Sequence, residues 1–598
     1  MTTSAYTSVR GPEAVTEPSP GVLGRWRAHF RLGVCLLPAL VIGIAGFQRR
    51  WMSDDGHIYV RTVRQVLAGN GPVFNAGERA ESSTGTLWQW LLVAGGALGA
   101  DVATLAMYGG LLLTVAGFAL AGVGALRLRS RSWSRGGGEG EGGKGEGSKC
   151  GLLVPCGALV LLALPPVWDF ATSGLETGLA TCWIAGAWLA LVARPRSLVT
   201  CAVLGLGPLV RPDLALVSVV FLAAQWVTAR PSWRGALAGA GVAGALPVAY
   251  EIFRMGYYGH LMPLPGVTKE ASRSLWGRGF DYLWDFAGPY ALWVPVVAMA
   301  GVGAAALYAG RFDVRQVRQV RHPGVVRDYA PVVAPLLAGA LCWVYVIKVG
   351  GDFMHGRMFL PGLLLMLLPV FVVPLTRAWG VAAVVIGVWA VACAGVLRVP
   401  YEGRIGAGGI ADERGVYVRQ NASPHPLHHG FAGQPANKAY AALVRDKARS
   451  GAPTLLLART PVAGGNPGVT GVYNTLGFSG SVVPLSGAAL DPIGLAYPLA
   501  AHSEGIVNGR VGHDKRLPDE WIVAERGAAD VPAGLDPARV EAARRALRCG
   551  PLAELRTATR APLTVGRFWH NLTGAVERTS FRFPNDPVRA ERELCGGE

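Results

Sequence analysis

The chain has 598 residues, of which 51% are hydrophobic, and its mean hydropathy is +0.33. This composition is typical of a membrane protein and excludes a single ordinary soluble domain. The formal net charge is +17, but most of the basic excess lies in short loops between apolar runs. The positive-inside rule accounts for such loops, so we exclude nucleic-acid binding.

The N-terminal segment predicts a tail followed by a retained membrane helix. Residues 1–23 are rich in Ser, Thr, Pro and Gly, which predicts a disordered cytoplasmic tail. Arg25, Arg27 and Arg31 precede the first apolar run and place the N-terminus in the cytoplasm. That run continues into Gln-Arg-Arg-Trp and not into a small-residue cleavage site, so we interpret it as a transmembrane helix and not as a signal peptide.

Two adjacent carboxylates, Asp54 and Asp55, stand where the chain leaves this first span. An acid at membrane depth is costly and therefore indicates a functional site. The residues that follow are amphipathic, which predicts a helix lying on the membrane that would hold both acids at a fixed depth. The alternative is that the pair begins a solvated loop.

Apolar runs long enough to cross about 30 Å of hydrocarbon recur as far as Leu397 and then cease. Placing the basic loops on the cytoplasmic side requires segment 87–99 to be a second interfacial helix within a first external loop, 49–102. Of the predicted spans, 150–164 and 198–209 are short and could be tilted or broken. The pattern predicts about eleven spans, near 32–47, 103–126, 150–164, 176–193, 198–209, 212–229, 235–251, 288–309, 329–347, 357–375 and 378–397.

The predicted external loops hold further polar residues. The loop from Gly350 to Arg357 contains Asp352 and His355, with glycines that allow the backbone to approach a ligand closely. Arg211 lies in a short turn, where its guanidinium could bind a phosphodiester. In the loop from Gly350 to Arg357, the alternative is a self-contained salt bridge. In the turn at Arg211, the alternative is an Arg–Asp pair that caps the turn.

Another predicted external segment combines cations with aromatic side chains. It contains Arg254, Tyr257 and Lys269. These residues could bind a substrate at the membrane surface, or the tyrosines could form only an aromatic belt. Glu176 lies in a separate external loop, before the span near 176–193.

From about residue 398 the chain changes character and predicts a mixed α/β extracytoplasmic domain, 398–598. Thr454–Leu457 and Trp521–Ala524 have the length of strands, and Pro537–Leu547 has a helical pattern. His513 lies in a predicted tight turn. Cys549 and Cys595 are the two cysteines of this polar region, and an oxidising compartment would bridge them, although free thiols are the alternative.

Several motifs are missing from the sequence. It has no P-loop, no zinc-type His/Cys spacing, no Gly-x-Ser-x-Gly and no Asp-x-Asp motif. We therefore predict no cofactor and no metal site, with a divalent cation as the alternative that the sequence leaves open. Outward-facing acids and arginines at bilayer level instead suit a donor that is itself a lipid phosphate, because an acid can activate a hydroxyl and a guanidinium can stabilise the departing phosphate.

The chain resembles the membrane-embedded GT-C glycosyltransferases of actinobacterial cell-wall synthesis, and among them the terminal β-(1→2)-arabinofuranosyltransferase family. The resemblance covers nearly all of the chain except residues 1–30 and 136–149. It rests on these motifs: Gln48-Arg-Arg-Trp-Met-Ser-Asp-Asp-Gly56, Leu67-Ala-Gly-Asn-Gly-Pro-Val-Phe-Asn75, Asp169-Phe-Ala-Thr-Ser-Gly-Leu-Glu176, Val248-Ala-Tyr-Glu-Ile-Phe-Arg-Met-Gly-Tyr-Tyr-Gly259, Pro289-Tyr-Ala-Leu-Trp-Val-Pro295, Gly350-Gly-Asp-Phe-Met-His-Gly-Arg357, Pro498-Leu-Ala-Ala-His502 and Gly512-His-Asp-Lys515.

The resemblance implies a GT-C domain, 24–397, in the plasma membrane and the external domain 398–598. It implies decaprenylphosphoryl-D-arabinofuranose as donor and the non-reducing ends of arabinan, in arabinogalactan and lipoarabinomannan, as acceptor. It also implies that Asp54 is catalytic. A β-linked donor giving a β linkage means net retention, for which Asp55, Asp352 or Glu176 could be the second group.

Other functions remain open at this point. The donor sugar cannot be determined from residue spacing, so a mannosyl- or α-arabinosyltransferase that uses another polyprenyl-phosphate sugar is the first alternative. A polyprenyl-lipid transporter is the second, although charges near the bilayer midplane and internal repeats, which would favour it, are missing. The third is a non-catalytic glycan-binding scaffold.

Overall fold

A computed structural model describes residues 22–133, 152–308, 323–427, 435–507, 509–527 and 530–596. The predicted tail, apart from its last two residues, and the low-complexity segment 136–149 lie outside these ranges. The α-helices of the described residues are α1 Val22–Gln48, α2 Asp54–Leu67, α3 Thr86–Ala97, α4 Val102–Trp133, α5 Cys156–Leu162, α6 Pro165–Asp169, α7 Thr177–Ala193, α8 Leu198–Gly205, α9 Gly207–Val210, α10 Ala215–Ala229, α11 Trp233–Tyr258, α12 Leu264–Thr268, α13 Trp276–Ala287, α14 Trp293–Tyr308, α15 Pro323–Lys348, α16 Leu360–Leu367, α17 Arg377–Gly395, α18 Glu413–Asn421, α19 Pro435–Ser450, α20 Leu476–Val482, α21 Pro498–His502, α22 Asp519–Arg526, α23 Pro537–Ala546, α24 Gly550–Arg560, α25 Val565–Ser580 and α26 Pro587–Cys595.

Six helices in the described residues are long and apolar enough to cross a membrane, so the chain is a polytopic helical membrane protein. They are Phe30–Gln48, Val102–Ser130, Pro212–Ala229, Trp233–Tyr258, Arg327–Lys348 and Arg377–Gly395. Four shorter apolar helices accompany them: Thr177–Ala193, Leu198–Val210, Trp293–Ala306 and Arg357–Val370. The predicted total of about eleven spans therefore remains a prediction.

The two weakest predicted spans are broken in the structure. In 150–164, strand β1, Leu153–Val154, pairs with β2, Val373–Pro374, and only the short α5 follows. In 198–209, the helix is interrupted between α8 and α9, where a proline follows Gly207. Proline removes a backbone donor and clashes with the preceding turn, which explains the interruption.

The region after residue 398 contains a four-stranded sheet. Its strands are β3 Thr454–Leu457, β4 Thr460–Ala463, β5 Val469–Val472 and β6 Ala488–Leu490, in the order β4-β3-β5-β6. The β3–β4 pair is antiparallel, whereas β3–β5 and β5–β6 are parallel. The strand predicted at Thr454–Leu457 and the helix predicted at Pro537–Leu547 are both present.

The strand predicted at Trp521–Ala524 is wrong, because these residues lie in helix α22. Short apolar runs do not distinguish a buried strand from a buried helix. Here Pro518 precedes the helix and two acids occupy its first turn, which are favourable features of a helix N-terminus. The Trp521 indole donates to the Asn585 carbonyl and packs edge-on against Phe583.

Helix α2 is held between the membrane helices and the C-terminal sheet. Its Ile58 packs in one hydrophobic cluster with Phe74, Tyr440 and Phe478. The Arg61 guanidinium, which is almost completely buried, donates to backbone carbonyls on both sides, including those of Phe74 and Gly480, each at 2.8 Å. The acids at the start of α2 are therefore fixed against residues more than 400 positions away.

Candidate active site

A cavity of about 530 Å³ lies where the first loop, the loops after α11 and α15, and the C-terminal region meet. Asp54 and Asp55 contribute one side of it. The opposite sides come from segments that are distant in sequence. Its charged and titratable lining residues are Asp54, Asp55, Lys269, Glu413, Tyr417, Asp491, Arg510, His513, Lys515 and Arg516.

Asp54 begins α2, after the capping residue Ser53. Its carboxylate accepts hydrogen bonds from the backbone N–H groups of Gly477 at 3.0 Å and Phe478 at 2.7 Å. Residue 477 must be glycine, because a Cβ there would lie 1.9 Å from the Asp54 carbonyl oxygen. Burial, together with the neighbouring Asp55, raises the pKa of Asp54 to about 7, although the two N–H groups lower it in part.

Asp55 faces a buried ion network. Its carboxylate lies 3.8 Å from the Arg357 guanidinium, too far for a hydrogen bond. Arg357 instead donates to Asp352, at 2.8 Å from Nε and 2.6 Å from Nη2, and Lys269 reaches the same carboxylate at 3.2 Å. Burial opposes ionisation of Asp352, but Arg357 and Lys269 hold its pKa at about 2. Asp352 therefore orients two cations and is not available as a base.

The loop that carries Asp352 depends on glycine. Gly350 and Gly351 both have positive φ, 87° and 77°. A Cβ on Gly351 would lie 2.4 Å from the Tyr282 ring. The glycines thus allow a tight turn against a neighbouring helix, which places Asp352 directly after the turn.

Cationic side chains surround the Phe353 ring at one wall of the cavity. Lys269 lies 5.3 Å from its ring centroid, Arg510 5.7 Å and Arg357 6.0 Å. His513 packs edge-on against the same ring at 4.8 Å. Burial, with Arg510 nearby, lowers the pKa of His513 to about 4, so this imidazole is neutral at pH 7. The wall presents positive charge to a ligand through its lysine and arginines.

Glu413 is a cavity residue that the sequence reasoning missed. It begins α18 and is 9% exposed, and its Oε2 is buried without a hydrogen-bond partner among the described residues. Burial and then the Asp55 charge raise its pKa well above the usual range of a glutamate. An acidic pair, Asp412-Glu413, soon after the last span was the available sequence signal.

The structure places several predicted site residues outside this cavity. Glu176 accepts a hydrogen bond from Tyr59 at 2.9 Å. Arg254 pairs with Glu81 at 2.6 Å and also with Glu251. Tyr257 stacks on Phe253. The Glu176 and Arg254 contacts join α2, α7 and α11 to neighbouring segments, whereas the Tyr257 stack lies within α11.

Two further predicted residues lie in small separate spaces. Arg211 makes a bidentate pair with Asp213, at 2.6 and 2.7 Å, and lines an otherwise largely apolar pocket together with Arg357. His355 contacts Asp285 at 2.6 Å through Nδ1 and Tyr290 at 3.1 Å through Nε2. Arg357 therefore reaches both the cavity acids and the apolar pocket.

Cys549 and Cys595 form a disulfide in the structure. It connects the residue preceding α24 to the end of α26. The other described cysteines are free thiols, and all but Cys182 are buried. Within the described residues, no group of three or more His, Cys, Asp or Glu side chains is arranged to hold a metal ion.

The structure thus places carboxylates and cations around a cavity beside membrane-spanning helices, an arrangement suited to group transfer at the membrane. The AftB family C-terminal domain matches residues 458–592. The chain is 34% identical to the terminal beta-(1->2)-arabinofuranosyltransferase of Mycobacterium tuberculosis, over 93% of this chain and 96% of that protein. It is also 34% identical to the protein of the same name from Corynebacterium glutamicum, over 95% of this chain and 88% of that protein.

The chain belongs to the terminal β-(1→2)-arabinofuranosyltransferase family and is a glycosyltransferase. No solved structure matches it significantly.

Proposed function

We propose that this protein transfers D-arabinofuranose from decaprenylphosphoryl-D-arabinofuranose to the non-reducing ends of cell-wall arabinan, in arabinogalactan and lipoarabinomannan, forming terminal β-(1→2) linkages. The family supports the sugar and the linkage. The observation that carries the proposal is the cavity in which Asp54 and Asp55 face Lys269 and Arg510 beside the membrane helices. In a lipid-phosphate sugar, the acids can act on the sugar and the cations can bind the phosphate.

The donor phosphate would bind at the cationic wall around Phe353. Lys269 and Arg510 line the cavity, and Arg357 lies directly behind Asp55. Arg357 also lines the small, largely apolar pocket with Arg211, Leu360 and other side chains. Guanidinium groups placed in this way would stabilise the charge that develops on the departing phosphate.

Asp54 would act on the anomeric carbon. Its two oxygens are fixed by the Gly477 and Phe478 N–H groups, which orients the carboxylate. In a retaining reaction, the bond from C1 to the phosphate oxygen breaks with its electron pair leaving on the phosphate, and Asp54 forms a covalent bond or a close ion pair with C1. The acceptor hydroxyl oxygen then bonds to C1 and releases Asp54.

Glu413 would carry the proton in this sequence. Its carboxyl group faces the same cavity, and its Oε2 is buried without a partner. We propose that the protonated Glu413 gives its proton to the departing phosphate and regains one from the acceptor hydroxyl. Each turnover then returns both carboxyl groups to their starting state.

The proposal includes a membrane arrangement. The membrane part, 24–397, would have the GT-C fold with about eleven spans in the plasma membrane and a cytoplasmic N-terminus. The cavity and the domain 398–598 would be extracytoplasmic. Cysteine labelling from either side of sealed vesicles would test this, because a cysteine in place of exposed Glu577 should react only with reagent on the extracytoplasmic side.

The experiment for the reaction uses purified protein, radiolabelled decaprenylphosphoryl-arabinose and a synthetic arabinofuranosyl acceptor, with the product linkage determined by NMR. The expected product carries a new terminal β-(1→2) linkage. Polyprenylphosphoryl-mannose serves as the matched donor control. Transfer from the mannose donor alone, or an α-linked arabinose product, would favour the alternative transferases and overturn the proposal.

A further inference from the structure

Helix α25 presents an apolar stripe to its surroundings although it lies in the C-terminal region. Val565 is 77% exposed, Trp569 58% and Val576 55%, and Leu572 is partly exposed. These positions are spaced by four, three and four residues, so they form one continuous face of the helix. The adjoining face, which includes Asn571 and Ala575, is buried against the protein.

This stripe lies at the end of a membrane-spanning helix. Phe568 packs against Gly256 in the last turn of α11, where a Cβ on Gly256 would lie 2.2 Å from the Phe568 ring. Asn571 Nδ2 donates to the Gly256 carbonyl at 3.2 Å. The α11 surface just before this point exposes Val248 and Ile252, which on a membrane span are lipid-facing side chains. The apolar face of α25 therefore continues from a lipid-facing surface.

A second helix marks the same membrane boundary. Helix α13 exposes Trp276, Phe280 and Trp284, spaced by four residues, at the end of α15. The N–H of Leu275, just before α13, donates to the Lys348 carbonyl at 2.7 Å. The loops after α11 and α15 meet in the Lys269–Asp352 ion pair, so both helix ends are on the cavity side of the membrane.

We propose that α25 is an interfacial helix whose stripe of Val565, Trp569, Leu572 and Val576 inserts at the boundary between lipid headgroups and acyl chains. An amphipathic helix with a tryptophan on its apolar face fits that boundary. The contact anchors the C-terminal region to the bilayer independently of the transfer reaction.

The test places a fluorophore on the stripe of the full chain in phosphatidylcholine nanodiscs. Trp569→Cys is labelled with an environment-sensitive nitrobenzoxadiazole dye, and the matched control is the adjacent His570→Cys, which is 63% exposed but points away from the stripe. Wild-type protein put through the same labelling gives the background from the native thiols. Lipids with a nitroxide near the headgroup serve as quenchers.

At position 569 the emission should shift to the blue, and the nitroxide lipid should quench it more strongly than at position 570. Equal quenching at both positions would overturn the proposal. The proposal would also be overturned if the nitroxide lipid did not quench the dye and an arabinan oligosaccharide changed the dye's emission instead. That result would identify a glycan-binding face. Val576→Cys provides a second stripe position if Trp569→Cys does not fold.

Discussion

Asp352→Asn removes the negative charge that the largely buried Arg357 and the partly exposed Lys269 share. The Asp352 pKa of about 2, against 3.8 for the free side chain, corresponds to about 2 kcal/mol of stabilisation by the ionised form. Because this pKa is lower in the folded state, the stabilisation is complete above the unfolded pKa and is lost as the pH falls through about 2. At pH 7 the substitution also leaves the buried Arg357 without the carboxylate oxygen that its Nε and Nη2 both contact, so we expect a total loss of about 2–4 kcal/mol.

Asp514→Asn is the matched control. Asp514 pairs with Arg278 at 2.7 Å, but these side chains are 25% and 29% exposed. An ion pair that remains partly in water contributes about 0–1 kcal/mol. In thermal unfolding of the purified protein at pH 7, followed by tryptophan fluorescence, Asp352→Asn should lower the midpoint more than Asp514→Asn. Equal shifts would refute the argument that burial makes the Asp352 network strong.

Glu413→Gln keeps the shape of a protonated carboxyl group, so the thermal midpoint should stay unchanged while kcat falls about 100-fold or more; an unchanged kcat would exclude a proton-transfer role. The raised pKa of Asp54, about 7 against 3.8 for the free side chain, means that its contribution to stability is complete below pH 3.8 and is lost as the pH rises from 3.8 through about 7. The midpoint of the wild type should therefore fall more than that of Asp54→Asn as the pH rises through this range, and parallel curves would contradict the assignment. Arg61→Lys cannot maintain all the carbonyl contacts of the guanidinium, so it should lower both the thermal midpoint and the transfer rate. The control Arg64→Lys, on the exposed side of α2, should change neither. Equal effects of the two substitutions would show that the α2 contacts do not hold the site.

Local pattern was sufficient to predict most membrane helices and the helix that begins at Asp54. Apolar runs of sufficient length and the amphipathic spacing after residue 54 depend only on neighbouring residues. The same reasoning failed at Trp521–Ala524, because four apolar residues fit a strand or one turn of a buried helix equally well. Prolines and glycines near 150–164 and 198–209 interrupt helices that hydropathy alone would extend.

The cavity itself could not be predicted, because its contacts are long-range. Asp54 receives its hydrogen bonds from residues 423 and 424 positions away. Arg254 looked available for a phosphate, but it is paired with Glu81, 173 positions earlier in the chain. Glu413 becomes a cavity residue only because the segment after the last span folds back against Asp55. Pairings of this kind are set by the tertiary fold and leave no local periodic signal.

The role of the Asp54 cavity is tested most directly by comparing Asp54→Asn with the wild type in arabinose transfer from decaprenylphosphoryl-arabinose to an arabinofuranosyl acceptor, after both proteins give the same size-exclusion profile. The wild type should form a β-(1→2) product, and Asp54→Asn should transfer about 100-fold more slowly or not at all. Transfer by Asp54→Asn at the wild-type rate would contradict the claim that the cavity around Asp54 is the catalytic site.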